Sequence, residues 1–221
     1  MGIRGKPDSV EVSKEQGNVT PILYVLLAYV VGATPTSYWV GRFFFGVDLR
    51  EVGSGNLGAT NTFRALGWKA ALPVALVDVS KGWLPVWYFS QVDHTGAWGW
   101  TLGYAAAAIV GHVFSFWVRF RGGKGIATSA GVFLALAPWA VLVALGVWIA
   151  VVLPTRIVSL GSLAAALAVP ISVYFLPHWG GDALFYFTLG LAAFVFWAHR
   201  SNIRRLMRGE ENRFGTKGQA G

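Results

Sequence analysis

Four polar segments interrupt an apolar chain, and each carries residues suited to anions or protons. Residues 53–64 read Gly-Ser-Gly-Asn-Leu-Gly-Ala-Thr-Asn-Thr-Phe-Arg. Gly53, Gly55 and Gly58 would let backbone N–H groups approach an anion, and a helix starting after them would add its positive end. Ser54, Asn56 and Asn61 offer donors, and Arg64 offers a bidentate fork for phosphate. The glycine spacing is formally that of a dinucleotide-binding turn. That turn needs a strand before it, and here an apolar helix precedes it, so the nucleotide reading is rejected. Glycines alone would equally make a tight turn capped by Ser and Asn; Arg64 tips the reading to phosphate.

The second segment, residues 111–128, ends Arg-Phe-Arg-Gly-Gly-Lys-Gly-Ile-Ala-Thr. Gly122, Gly123 and Gly125 bracket Lys124, a suitable phosphate clamp at a helix entrance, but without Walker spacing. Arg119 and Arg121 also suit plain membrane anchoring. His112 lies in an apolar run, where a structural and a catalytic histidine are both open readings. The third segment runs from Arg156 to Ser162 and says little alone. In the fourth, His199 and Asn202 share a helix face at i,i+3, followed by basic residues suited to anionic headgroups. Asp78 and Lys81 lie inside an apolar segment at the same spacing. Such a pair is costly in a bilayer and marks either function or an ion pair that packs helices.

The elements that must position these residues are membrane helices. Of 221 residues 55% are hydrophobic and 13% charged, with 11 Trp and 15 Phe. Soluble domains carry about 25% charge, so a soluble enzyme and a disordered chain are both excluded. With no cysteine there is no disulfide, thiolate zinc site or Cys nucleophile. The histidines at 94, 112, 178 and 199 have no metal-ligand spacing, and no metal site is expected. The net charge of +8 suits membrane orientation and an anionic ligand or lipid; no nucleic-acid platform is evident.

Apolar segments fall at 21–45, 70–90, 97–118, 126–153, 157–177 and 183–198. Six spans would leave Arg156 and the cations from Arg200 to Lys217 on the opposite side from Arg42–Lys69. Splitting 126–153 at Ala137–Pro138, where Pro starts a helix well, puts all of them on one face. The two halves would rise only about 21–24 Å, short of a ~30 Å core, but the charge pattern outweighs this. The expectation is an all-α integral membrane protein of seven transmembrane helices, with its N-terminus outside and its C-terminus cytoplasmic. Residues 1–19 are expected to be a flexible polar tail, 20–208 the membrane domain and 209–221 a flexible cytoplasmic tail. All four polar segments then share one face.

Taken together, GSGNLGATNTFR, DVSKG, GHVFSFWVRFRGGKGIAT, RIVSLGS and HRSNIRRLMRGEE closely resemble the bacterial acyl-phosphate-dependent glycerol-3-phosphate acyltransferases, in order and spacing, over about residues 21–214. The resemblance implies a seven-helix protein of the bacterial inner membrane with its active site at the cytoplasmic face. It implies acyl transfer from acyl phosphate to the 1-hydroxyl of glycerol 3-phosphate, giving 1-acyl-glycerol 3-phosphate (lysophosphatidic acid) and phosphate, the first acylation of phospholipid synthesis. No cofactor and no obligate protein partner are implied; the partners are the two substrates and membrane lipid. Matching positions make Ser54, Lys124, His199 and Asn202 catalytic candidates. The phosphate-binding set is Ser54, Gly55, Asn56, Gly58, Asn61, Arg64, Gly122, Gly123, Lys124, Gly125, Arg156 and Ser162. Lys81 and His112 carry over less directly. Two departures are Ser115, where the family usually has Pro, and Arg121, where Lys is common; the 1–19 extension is also atypical.

The residues themselves argue against a covalent mechanism. Five positions after each histidine stand Gly99, Trp117, Ala183 and Arg204, so there is no His-x4-Asp dyad, and there is no GxSxG elbow. Acyl phosphate carries its own good leaving group. Direct attack by the hydroxyl therefore suffices, with the proton going to His199 or, as favoured here, to the donor phosphate. Because lipid solvates an acyl chain about as well as a dry pocket does, a groove open to the membrane is expected. The alternatives are a transporter of an anionic phosphorylated solute and a non-catalytic membrane scaffold.

Overall fold

The computed structural model of the chain describes residues 8–178 and 180–214. They form α1 (Asp8–Gly32), α2 (Thr36–Trp39), α3 (Ala59–Leu66), α4 (Trp68–Val92), α5 (Trp98–Val113), α6 (Ile126–Leu136), α7 (Pro138–Thr155), α8 (Val158–Phe175), α9 (Gly181–Ala198) and α10 (Arg200–Met207). A π-helical turn, Val40–Phe44, continues α2, and a 3₁₀ turn, Phe116–Val118, follows α5. There is no strand among the described residues.

Prolines and glycines set the breaks. The apolar run expected as one helix over 21–45 is interrupted after Gly32, where Pro35 lacks an N–H and cannot continue the ladder. The break leaves the Thr34 carbonyl without a helical partner, and Lys81 Nζ donates to it at 2.7 Å. The run 126–153 divides where charge placed the division: Ala137 leaves the helical conformation (φ −151°, ψ 69°) and Pro138 opens α7.

Among the described residues, five segments are long and apolar enough to cross a membrane: Thr20–Phe44, Trp98–Val118, Pro138–Thr155, Val158–Phe175 and Gly181–Ala198. Length and apolarity therefore mark five spans rather than seven. The other two expected spans are α4, which is long but holds buried Asp78 and Lys81, and α6, which is apolar but has only 11 residues.

The helices pack in two groups. One contains α1, α4, α5 and α6; the other contains α7, α8 and α9. Within the first group glycines permit very close crossings. A side chain at Gly131 of α6 would strike the Val79 carbonyl of α4, and one at Gly82 would strike Thr128. Away from the polar loops, Phe133, Leu136, Ala140, Val173 and Leu184 form a core that joins the groups.

Both tails depart from expectation. The backbone is helical from Asp8, inside the stretch expected to be flexible. After α10 the chain folds back: the Phe214 N–H donates to the Arg156 carbonyl at 2.6 Å, and its ring stacks on Phe63 at 4.6 Å. The segment through Phe214 is thus part of the folded domain, because Glu211 has partners on two helices, described below. Residues 1–7 and 215–221 of the expected tails, including Lys217, lie outside the described residues.

Candidate active site

The loop before α3 is shaped by one side chain. Asn61 is 1% exposed; its Oδ1 accepts from the Ser54 N–H at 2.8 Å, and its Nδ2 donates to the Leu49 and Val52 carbonyls at 3.0 Å each. Gly53 and Gly55 take positive φ of 62° and 68° to make the turn. Asn61 therefore acts as the clamp of this loop rather than as a free donor. One helical turn further, Arg64 is partly buried and its Nε has no protein partner. Burial and the nearby Arg205 lower its affinity for its proton, which Glu211 partly restores.

The expected role of the glycine backbone as anion donor is corrected at four positions. The Gly55 and Gly58 N–H groups donate to Val52 and Asn56, and those of Gly122 and Gly123 donate to Val113 and His112, all at 3.0–3.2 Å. The second pair seats the Lys124 loop on the end of α5. A side chain at Gly123 would strike the His112 ring and the Leu57 carbonyl, so only glycine allows that seat. Charge for an anion must then come mainly from side chains. Lys124 Nζ donates to Asn202 Oδ1. Burial, with Arg205 and Arg64 nearby, pushes its ammonium down to about 8, against the opposing pull of Glu211.

The fourth segment meets Lys124 from the other side. His199 Nδ1 lies 2.9 Å from the Val195 carbonyl. A carbonyl only accepts, so Nδ1 carries the ring hydrogen and Nε2 keeps its lone pair. Burial and the Lys124 charge push His199 down to about 4, so the ring is neutral at pH 7. Glu211, 7% exposed, ties the motif together. Its Oε1 accepts from Ser159 Oγ at 3.0 Å and Asn202 Nδ2 at 2.6 Å, and its Oε2 from Arg205 Nε at 2.7 Å. Burial raises this carboxyl, but the bonds from Arg205, Asn202 and Ser159 outweigh it and hold Glu211 below the ordinary glutamate range.

These groups surround one end of a cavity of about 530 Å³. Ser54, Asn56, Gly58, Asn61, Arg64, Lys124, Gly125, Ser162, His199 and Asn202 line it, as does His112. The cavity then continues between apolar side chains of α6–α9, including Phe133, Val141, Trp148 and Val169. Gly55, Gly122, Gly123, Lys81 and Arg156 do not line it. Arg156 is exposed on the turn between α7 and α8, with φ 60°. Lys81 is buried in an ion pair, Nζ to Asp78 Oδ1 at 2.7 Å, behind the cavity wall. Among the described residues no set of three His, Asp or Glu could hold a metal ion.

The sequence of these motifs has clear relatives. The family model for glycerol-3-phosphate acyltransferase matches residues 22–209. The chain belongs to the glycerol-3-phosphate acyltransferase family. The enzyme of that name from Listeria monocytogenes is 45% identical over 194 residues, covering 86% of this chain and 94% of that protein. The one from Endomicrobium trichonymphae is 40% identical over 192 residues, covering 87% and 94%. Crystal structures of PlsY, an integral membrane glycerol 3-phosphate acyltransferase, superpose closely. The glycerol 3-phosphate form gives a TM-score of 0.79 at 35% identity, covering 89% of this chain and 96% of that one. The lysophosphatidic acid form gives 0.77 at 34%. The chain is thus a multi-pass membrane acyltransferase. These comparisons favour neither the transporter nor the scaffold.

Three further residues of this acyltransferase site were not singled out from sequence as ligands or clamps. Ser159 and Glu211 brace Asn202, and Ser129 lines the cavity, as does Asp78, whose pairing with Lys81 the sequence had marked. Glu211 had a signal: with Glu210 it is an acid that follows four arginines, Arg200, Arg204, Arg205 and Arg208, within twelve residues. Ser129 had none, because a serine in an apolar helix usually bonds its own backbone.

Proposed function

We propose that this acyltransferase moves an acyl group from acyl phosphate to the 1-hydroxyl of glycerol 3-phosphate, releasing lysophosphatidic acid and inorganic phosphate. The observation that carries the reading is one cavity with a cationic end at Arg64 and Lys124 and an apolar extension between α6 and α9. The cationic end suits phosphates, and the apolar extension suits an acyl chain. The names of the two PlsY crystal forms, which pair glycerol 3-phosphate with lysophosphatidic acid, support the same acceptor and product.

The chemistry needs alignment and charge more than covalent machinery. The acceptor oxygen attacks the acyl carbonyl, the new ester C–O bond forms and the bond to the phosphate oxygen breaks. Arg64 and Lys124 gather two anions that otherwise repel, and proximity is worth about 7–11 kcal/mol. His199 at about 4 is a weak base. The phosphate that departs as the ester forms is the stronger base, with a second pKa of about 6 in comparable phosphates. The proton therefore goes to the departing phosphate, while His199 and Asn202, which line the cavity beside Lys124, position the acceptor.

Seven spans, with the polar loops and C-terminus in the cytoplasm and the site at the inner-membrane surface, follow from the charge pattern. The test is phosphate release from palmitoyl phosphate by the purified protein, with and without glycerol 3-phosphate, beside Lys124→Ala. Release that needs the acceptor, yields lysophosphatidic acid and disappears in the variant is expected. Folded protein that releases none overturns the donor assignment.

A further inference from the structure

Apart from Arg64 Nε and the ion-paired Asp78 Oδ1, two buried polar atoms of cavity-lining residues have no hydrogen-bond partner: His112 Nδ1 and Ser129 Oγ. Their residues are 7% and 8% exposed, and both line the same cavity as Arg64 and Lys124. Asp78, 2% exposed, lines it beside them; its Oδ1 is 3.8 Å from His112 Nδ1, too far for a hydrogen bond. The Lys124 loop sits between the two. The His112 ring packs against Gly123, and Ser129 Oγ lies 3.9 Å from where a side chain on Gly125 would start. Buried polar atoms in folded proteins are nearly always paired, so two orphans beside one phosphate clamp call for a partner that enters the cavity.

The chemistry of the cluster selects that partner. A serine hydroxyl both donates and accepts, an imidazole nitrogen does one or the other, and the Asp78 carboxylate accepts. This set suits a neutral hydroxyl. It does not suit a second phosphate, because Asp78 is an anion whose charge is already met by Lys81 at 2.7 Å. Glycerol 3-phosphate carries one hydroxyl that is not acylated, on the carbon next to the phosphate-bearing carbon. We infer that Ser129 and His112, backed by Asp78, form the subsite for this 2-hydroxyl and so select a glycerol phosphate over a simple hydroxyalkyl phosphate. The inference rests on the reading above that the acceptor's phosphate lies at Arg64 and Lys124. Lys81 is a positioning residue here: its bonds to Asp78 and to the Thr34 carbonyl fix the carboxylate.

The test compares sn-glycerol 3-phosphate with 3-hydroxypropyl phosphate, which lacks the 2-hydroxyl. Equilibrium binding to the purified protein in detergent is measured without any donor, so the outcome is independent of donor identity. The wild-type protein is expected to bind glycerol 3-phosphate at least tenfold more tightly. In Ser129→Ala the dissociation constant for glycerol 3-phosphate should rise about tenfold, while that for the analogue moves less than twofold. His112→Asn should narrow the same ratio, and Ser129→Ala stands alone should the His112 variant fail to fold. Equal binding of both ligands by the wild type overturns the inference. So does an equal loss of both in folded Ser129→Ala, which is the signature of a packing role. Failure of the donor assignment shows separately, as absent phosphate release with normal binding.

Discussion

Lys124 gives the most exacting prediction, because its environment fixes both a direction and a position on the pH scale. Burial pushes its ammonium down to about 8, and Arg205 and Arg64 push the same way. Only the protonated form attracts phosphate. Binding of an anionic substrate therefore holds below pH 8 and fails above it. The parameter to follow is kcat/KM for glycerol 3-phosphate, which reports ionisations of the free enzyme. One unit above the midpoint, at pH 9, about one molecule in ten is still protonated, so kcat/KM should be about tenfold below its plateau. The assay is phosphate release from palmitoyl phosphate between pH 6 and 10, less the rate without enzyme. Two variants make the assignment specific. Lys124→Arg keeps its charge throughout, so its residual activity should lack the alkaline limb. Glu211→Gln removes the charge that supports protonation of Lys124, so its limb should move to lower pH. A flat wild-type profile to pH 10, or a limb that persists in Lys124→Arg, refutes the argument.

Three further outcomes are expected. His199→Gln should keep measurable turnover, with the wild-type profile between pH 5 and 7, because His199 is neutral across that range and the donor phosphate takes the proton; total loss with intact acceptor binding would make the histidine the base. Gly123→Ala should lower the melting temperature by about 3–10 °C and raise KM more than it lowers kcat, since the added methyl pushes the Lys124 loop off His112; unchanged melting and kinetics would show that the loop is not seated there. The cysteine-free chain allows single-cysteine labelling in intact cells. His94→Cys should react with an impermeant maleimide from outside and Met207→Cys only after permeabilisation; labelling of Met207→Cys from outside would reverse the orientation.

What the sequence determined by itself was the solvent and the chemistry. Low charge and long apolar runs demand a bilayer, and any helix that buries a run of that kind must leave its polar residues at the ends. The four polar segments were therefore legible as a shared region, and the cation distribution located the break at Ala137–Pro138. Charge and residue type likewise pointed to Arg64 and Lys124, because few other side chains can hold phosphate in a chain with so few cations to spare inside it. Partner choice belonged to the tertiary structure. Asn61 and the Gly122–Gly123 N–H groups read as anion donors along the chain, yet folding supplies them with closer acceptors at Leu49, Val52, His112 and Val113. Glu211 read as part of a solvated tail, yet it closes a network with Ser159, Asn202 and Arg205. The seat of Arg156 on an exposed turn, and the unpaired atoms of His112 and Ser129 beside the Lys124 loop, were equally unreadable in one dimension. The physical reason is common to all of them. A side chain's type lists the bonds it is able to make, but which of them it makes depends on groups brought within about 3 Å from distant parts of the chain.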